Sequence, residues 1–329
     1  MLMELYFYKA IIYQTLGFCK SFERNIEIWR FFMRGNREPI FKGCATALAT
    51  PFRDGEVDYY TLGEMIERQI DGGVAAIVIC GTTGEASTLS VYEHLKCIEF
   101  AVRLVDGKIP VIAGTGNNCT KKAIHISKKA AELGADALLV VTPYYNKASE
   151  SGLITHFSAI ADASEKPIML YNVPSRTGVN IPLSVYSRLA DHENIIGVKE
   201  ASGNLSAIAS LIAECGDKLD VYSGNDDQIL PILSLGGLGV VSVVSNVLPR
   251  ETQDICDFYF SNDTASAKKA QLDLIELISV LFCEVNPIPL KYALSLMGIC
   301  TGDVRLPLCE PSEASKKKIE SALKKYSLI

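Results

Sequence analysis

Tryptophan and histidine are scarce in this chain: one Trp and four His in 329 residues. None of the His stands in a His-Glu-x-x-His pattern, so the common helix-borne zinc site is excluded. Ten cysteines are present, yet no two are spaced Cys-x-x-Cys, which removes the zinc ribbon and the thioredoxin-like redox pair. No run reaches the roughly 20 consecutive apolar residues that a membrane-spanning helix needs. A basic surplus is missing too. Thirty-two Lys and Arg face 38 Asp and Glu, a net charge of −6, which argues against the basic face of a nucleic-acid-binding protein. The front of the chain lacks the marks of an address. Glu4 precedes any basic residue, Lys9 and Gln14 interrupt the apolar run, and no Ala-x-Ala follows, so no secretory signal is expected. Glu4, Glu23 and Glu27 speak against an organellar presequence.

What is present is ordinary globular composition, 48% apolar and 21% charged, in a chain long enough to bury a large core without staples. Residues 1–40 stand apart from it. They hold nine of the 27 aromatics, Trp29 included, and six basic against four acidic residues, whereas the other 289 carry 26 against 34. We expect residues 1–40 to be an N-terminal extension outside the fold or the product of an early start, with Met33 as an alternative start. Cys44 and Cys80 lie in apolar runs, where Cys acts as a small hydrophobe. Without a signal peptide the cysteines read as reduced thiols, in a cytoplasmic protein.

From residue 44 the pattern becomes regular. Short apolar, β-branched runs alternate with longer stretches of helical period, as in a parallel sheet with crossover helices. Eight strands are predicted: 44–50, 76–80, 110–113, 137–142, 167–173, 195–199, 219–222 and 239–244. Helices are predicted between them, among them 59–71, 120–133 and 205–215. Eight such units, with no Gly-x-Gly-x-x-Gly after the first strand, point to a closed (β/α)8 TIM barrel over an open sheet. The barrel spans 41–262. Residues 263–329 follow as a C-terminal helical appendage of three helices, 265–281, 289–297 and 311–326.

Chemistry in a (β/α)8 barrel sits at the C-terminal strand ends. There the chain places Gly81-Thr82-Thr83-Gly84-Glu85, Pro143-Tyr144-Tyr145-Asn146, Tyr171-Asn172-Val173-Pro174-Ser175-Arg176, Val198-Lys199-Glu200 and Ser223-Gly224-Asn225. Lys199 ends a run that should be buried. A desolvated lysine tends to lose its proton, and a neutral amine attacks ketones to give Schiff bases. The plainer reading is an ion pair with Glu200, but adjacent residues on a strand face opposite sides. Tyr171, at the end of the neighbouring strand, can reach that amine and shuttle protons; the plainer reading is a packing tyrosine. Thr82 and Thr83 offer hydroxyls and backbone N–H groups able to hold a carboxylate, or form an ordinary Gly-Thr turn. Arg176 offers a fork for a carboxylate, or is a surface arginine.

Together, Gly81–Glu85, the stretch from Tyr171 to Gly178, Gly197-Val198-Lys199-Glu200-Ala201-Ser202-Gly203, Thr142–Asn146 and Asn286-Pro287-Ile288-Pro289 resemble the Schiff-base aldolase superfamily of dihydrodipicolinate synthase and N-acetylneuraminate lyase. The resemblance runs from about Phe41 to the C-terminus. Arg176 and the Tyr144-Tyr145 pair are similar to the synthase branch. The resemblance implies a lyase in which Lys199 forms a Schiff base with pyruvate, whose enamine attacks aspartate semialdehyde on the route to lysine. It implies a proton relay of Tyr171, Thr82 and Tyr145, a carboxylate site at Thr83, a second at Arg176, and a pocket lined by Gly224 and Val241. No metal or organic cofactor is implied. Tyr145 is implied to act in a partner subunit's site, within a homotetramer built of two tight dimers. His94, Asn118 and Tyr144 match an effector site, but Val91 and Lys122 replace the histidine and glutamate of lysine-inhibited relatives, and Lys122 would repel a lysine ammonium, so weak or absent inhibition by lysine is expected. Three rivals stand beside this reading. One is an aldolase cleaving a 2-keto-3-deoxy sugar acid or N-acetylneuraminate on the same lysine. The others are a catalytically dead binding barrel and a phosphate-binding barrel built on Gly81–Glu85.

Overall fold

All eight apolar runs are strands of one closed, all-parallel barrel in a computed structural model that describes residues 38–329. The expectations for residues 1–37, Trp29 and Met33 among them, lie outside the described residues. In chain order the barrel is β1 (Gly43–Ala47), a two-stranded hairpin of β2 (Phe52–Arg53) and β3 (Glu56–Val57), α1 (Tyr59–Asp71), β4 (Ala76–Ile79), α2 (Val91–Val105), β5 (Val111–Gly114) and α3 (Thr120–Glu132). It continues with β6 (Ala137–Val141), α4 (Glu150–Ala163), β7 (Ile168–Asn172), α5 (Pro174–Thr177) and α6 (Leu183–Leu189). Then come β8 (Ile195–Glu200), α7 (Leu205–Cys215), β9 (Asp220–Ser223), α8 (Ile229–Leu235), β10 (Gly239–Ser242) and α9 (Pro249–Phe260). The ring closes between β1 and β10, where Gly43 registers with Gly239. A Cβ on Gly239 would stand 1.8 Å from the Gly43 carbonyl oxygen, so glycine alone allows that seam.

The strand runs are mostly apolar because each is covered twice. Ala45, Val78, Ile112, Leu139, Met169, Tyr171, Tyr222 and Val241 form a cluster inside the barrel. Their alternating neighbours, such as Ile77, Leu138, Leu170, Val198 and Val240, join a second cluster against the helices. This two-residue period sets which side chains can meet at the barrel mouth.

The hairpin was not predicted. Two-residue strands carry no period, and only Asp54-Gly55, both at positive φ (53° and 83°), marks it as a tight turn. The appendage has four helices instead of the expected three: α10 (Thr264–Asp273), α11 (Ile275–Leu281), α12 (Ile288–Leu296) and α13 (Glu313–Lys325). The run expected as one helix over 265–281 breaks at Leu274, where the Asp273 carbonyl accepts the Tyr326 hydroxyl. Leu277, Leu281, Leu290, Leu294, Ile319 and Leu323 share their core with the barrel helices, so 263–329 follows the barrel in sequence while packing into its outer layer. All nine cysteines among the described residues are free thiols.

Candidate active site

The strand period turns Lys199 and Tyr171 into the barrel together. They are register partners on β8 and β7, and the Lys199 Nζ lies 4.4 Å from the centre of the Tyr171 ring. Both are buried, 6% and 7% exposed. Glu200 is turned the other way. Its carboxylate accepts from Asn172 Nδ2 (3.0 and 3.1 Å), the Tyr186 hydroxyl (2.9 Å) and the Ser202 N–H (2.7 Å). That network occupies Glu200, which is therefore not the ion-pair partner of Lys199; the acid that feels the Lys199 charge is the buried Asp226.

Thr82 and Thr83 follow β4 in a turn closed by the Glu85 N–H donating to the Thr82 carbonyl (3.1 Å). Thr83 is buried, and its Oγ1 accepts from Asn286 Nδ2 at 3.0 Å, which leaves the hydroxyl proton for an anion. Arg176 sits on the single turn α5. Its guanidinium donates to the Asn286 carbonyl (3.0 Å), so one appendage residue contacts both Thr83 and Arg176. Gly224 lies where β9 passes β8. Its N–H donates to the Glu200 carbonyl (2.7 Å), and a Cβ there would stand 2.6 Å from the Ala201 Cβ. Val241 is fully buried inside the barrel on β10.

Tyr145 is placed differently. Its backbone is left-handed (φ 71°) and its side chain is 92% exposed, so within this chain it does not join Tyr171 and Lys199. His94, Tyr144, Val91 and Lys122 line a cavity of about 860 Å³ whose wall also includes Thr82, Tyr171 and Arg176. Asn118 supports that wall, donating to the Tyr144 carbonyl (3.2 Å). The His94 Nε2 lies 2.8 Å from the Gly114 carbonyl, and burial holds the imidazole below its ordinary pKa.

Four residues near these groups had no role of their own assigned from the sequence. Glu85 and Lys291 form a buried ion pair (2.7 Å), and Arg305 donates its backbone N–H to the same carboxylate (3.0 Å). Burial pushes the Lys291 ammonium below its ordinary pKa, against the opposing pull of Glu85. The fourth, Asp226, is buried behind β9. One of its oxygens accepts from the Val243 and Val244 N–H groups (3.0 and 3.1 Å), and burial raises its pKa. Only Lys291, in Ile288-Pro289-Leu290-Lys291-Tyr292-Ala293-Leu294, carried a signal like that of Lys199, a charge in an apolar run; the partners of Glu85 and Asp226 lie too far along the chain to be read from spacing.

Comparison with known proteins agrees with this geometry. Residues 40–326 match the dihydrodipicolinate synthetase family. The 4-hydroxy-tetrahydrodipicolinate synthase of Lachnoclostridium phytofermentans is 52% identical over 292 residues, covering 88% of this chain and 99% of that protein. Among solved structures, dihydrodipicolinate synthase from Aquifex aeolicus superposes with a TM-score of 0.86 at 45% identity, covering 88% of this chain and 99% of that one. A monomeric dihydrodipicolinate synthase variant gives 0.87 at 40% identity, covering 88% and 98%. The barrel with an inward lysine beside a tyrosine, and a match over nearly its whole described length, establish that this chain belongs to the dihydrodipicolinate synthetase family.

Proposed function

We infer that this chain is a lyase that condenses pyruvate with L-aspartate 4-semialdehyde, the reaction named for its 4-hydroxy-tetrahydrodipicolinate synthase relatives, with Lys199 as the nucleophile. The observation that carries the assignment is the buried Lys199–Tyr171 pair facing the barrel interior. The Lys199 amine adds to the pyruvate ketone to give a carbinolamine, and loss of water gives the iminium. Loss of a methyl proton gives the enamine, whose carbon attacks the aldehyde of the second substrate. Carbinolamine formation and dehydration move protons at nitrogen and oxygen, and enamine formation moves one from carbon; the Tyr171 hydroxyl, with Thr82, is the group proposed to relay them. The amine of the condensed semialdehyde then adds to the iminium carbon and expels Lys199, closing the ring.

In this reading Thr83 holds the pyruvate carboxylate with its free hydroxyl proton and backbone N–H. Arg176, tethered at the mouth through Asn286, takes the carboxylate of the semialdehyde. Gly224 keeps the wall thin beside Lys199, and Val241 gives the pyruvate methyl an apolar floor. The exposed, left-handed Tyr145 fits a role in a second copy, in a dimer that pairs further as a homotetramer. Borohydride reduction in the presence of pyruvate, followed by peptide mapping, tests the assignment. A reduced pyruvyl adduct on Lys199 is expected; labelling elsewhere, or none, rejects it. A coupled assay with aspartate semialdehyde and with sugar-derived 2-keto acids separates the synthase from the sibling aldolase.

A further inference from the structure

Glu85 closes the turn that carries Thr82 and Thr83, and it does so at a cost. Its backbone is left-handed (φ 51°), a conformation that glycine or asparagine adopts more readily. A glutamate persists there when its side chain is needed in one place. Both its oxygens are taken by residues far along the chain. Oε1 accepts from Lys291 Nζ (2.7 Å) on α12, and Oε2 from the Arg305 N–H (3.0 Å) in the segment between α12 and α13. Glu85 is 2% exposed and Lys291 is fully buried. The same arm is fixed at its outer side. The Lys291 Nζ (4.1 Å) and the Arg305 guanidinium (4.3 Å) both lie over the Phe52 ring. Arg305 then donates to the Gly55 and Thr88 carbonyls and pairs with Glu93. A second appendage residue, Asn286, grips the Thr83 hydroxyl directly.

None of these charges touches a reacting atom in the mechanism above, yet they converge on the turn that would hold the pyruvate carboxylate. We propose that the Glu85–Lys291 pair positions this turn, so that pyruvate capture by Thr83 depends on the C-terminal appendage; the proposal rests on the Schiff-base reading of Lys199. The two are positioning residues, acting on substrate only through the backbone of Thr82 and Thr83. Hydroxyl and N–H donors displaced by a fraction of an ångström meet the carboxylate poorly.

The test is borohydride trapping on Lys199 across a range of pyruvate concentrations. Removing one partner leaves a buried lone charge and endangers folding, so Lys291→Met is paired with the double variant Glu85→Gln/Lys291→Met, which buries no charge. The expected result is a half-saturating pyruvate concentration raised about tenfold to a hundredfold in the folded double variant, with the adduct still on Lys199. The half-saturating concentration for the semialdehyde should stay within about threefold, because Arg176 is tied to the Asn286 carbonyl and the double variant leaves Asn286 in place. A folded double variant that is labelled at the same pyruvate concentrations as the unaltered chain overturns the proposal and leaves the pair purely structural. An unaltered chain that gives no Lys199 adduct overturns the Schiff-base reading, and the proposal with it.

Discussion

The two halves of the site are built on different terms. The inner half, Lys199, Tyr171 and Thr83, is buried and hangs from adjacent parallel strands or the turn after β4, with Asn286 holding the Thr83 hydroxyl. The outer half, Tyr145 with Arg176, stands at the surface, and Tyr145 is almost wholly exposed on a left-handed residue. In the proposed mechanism, one chain would supply a finished pyruvate end and an unfinished proton path. The difference teaches where a second copy would matter: in turnover, and not in forming the Schiff base.

Four measurements bear on that contrast. Tyr171→Phe should have the largest effect, lowering kcat by about 10²–10⁴-fold, because it removes a proton-transfer group beside the nucleophile. Its adduct with pyruvate should form slowly in stopped-time trapping; an unchanged trapping rate would remove Tyr171 from the inner half. Arg176→Ala should lower kcat/KM for the semialdehyde by roughly 10- to 100-fold, the worth of a charge-assisted contact, while pyruvate trapping stays as it was. Equal losses for both substrates would erase the division between halves.

The third concerns the brace between appendage and barrel. Arg305 holds the Glu93 carboxyl down at about 2, from an ordinary 4.5. A depressed acid contributes stability that is fully present above its unfolded value and is lost as pH falls through its folded one. The thermal midpoint should thus drop between about pH 4.5 and 2, and Glu93→Gln should flatten that part of the curve. A Gln variant with the same acid profile would show that this pair is not the sensor. The smallest effect is expected from lysine itself. With Val91 and Lys122 on the cavity wall beside His94, added lysine should leave steady-state turnover unchanged, and potent inhibition would contradict the reading.

The barrel was legible because a strand covered on both faces is apolar at most positions, and the eight barrel runs are. Lys199 was legible for the converse reason, as a charge where only apolar residues belong, and its neighbour Tyr171 followed from β7 and β8 being consecutive. The family motifs then supplied roles that spacing alone left open at Thr83 and Arg176. What stayed hidden were partners joined by folding and not by sequence. Lys291 lies 206 residues from Glu85, and Asn286 lies 203 from Thr83, so no local period couples them. The break at Leu274 stayed hidden likewise, because neither glycine nor proline marks it and the Tyr326 hydroxyl that meets the Asp273 carbonyl there lies 53 residues away.

The claim that one copy holds the pyruvate end while a second completes the path is tested most directly by mixing two defective chains. Lys199→Arg lacks the nucleophile, and Tyr145→Phe lacks the outer hydroxyl. Unfolded together in equal amounts and refolded, half the two-fold dimers are hybrids, each with one complete site if Tyr145 acts across the interface. The account predicts recovery to about a quarter of the unaltered activity from two chains that are each nearly inactive. A mixture no more active than the sum of its parts would contradict it.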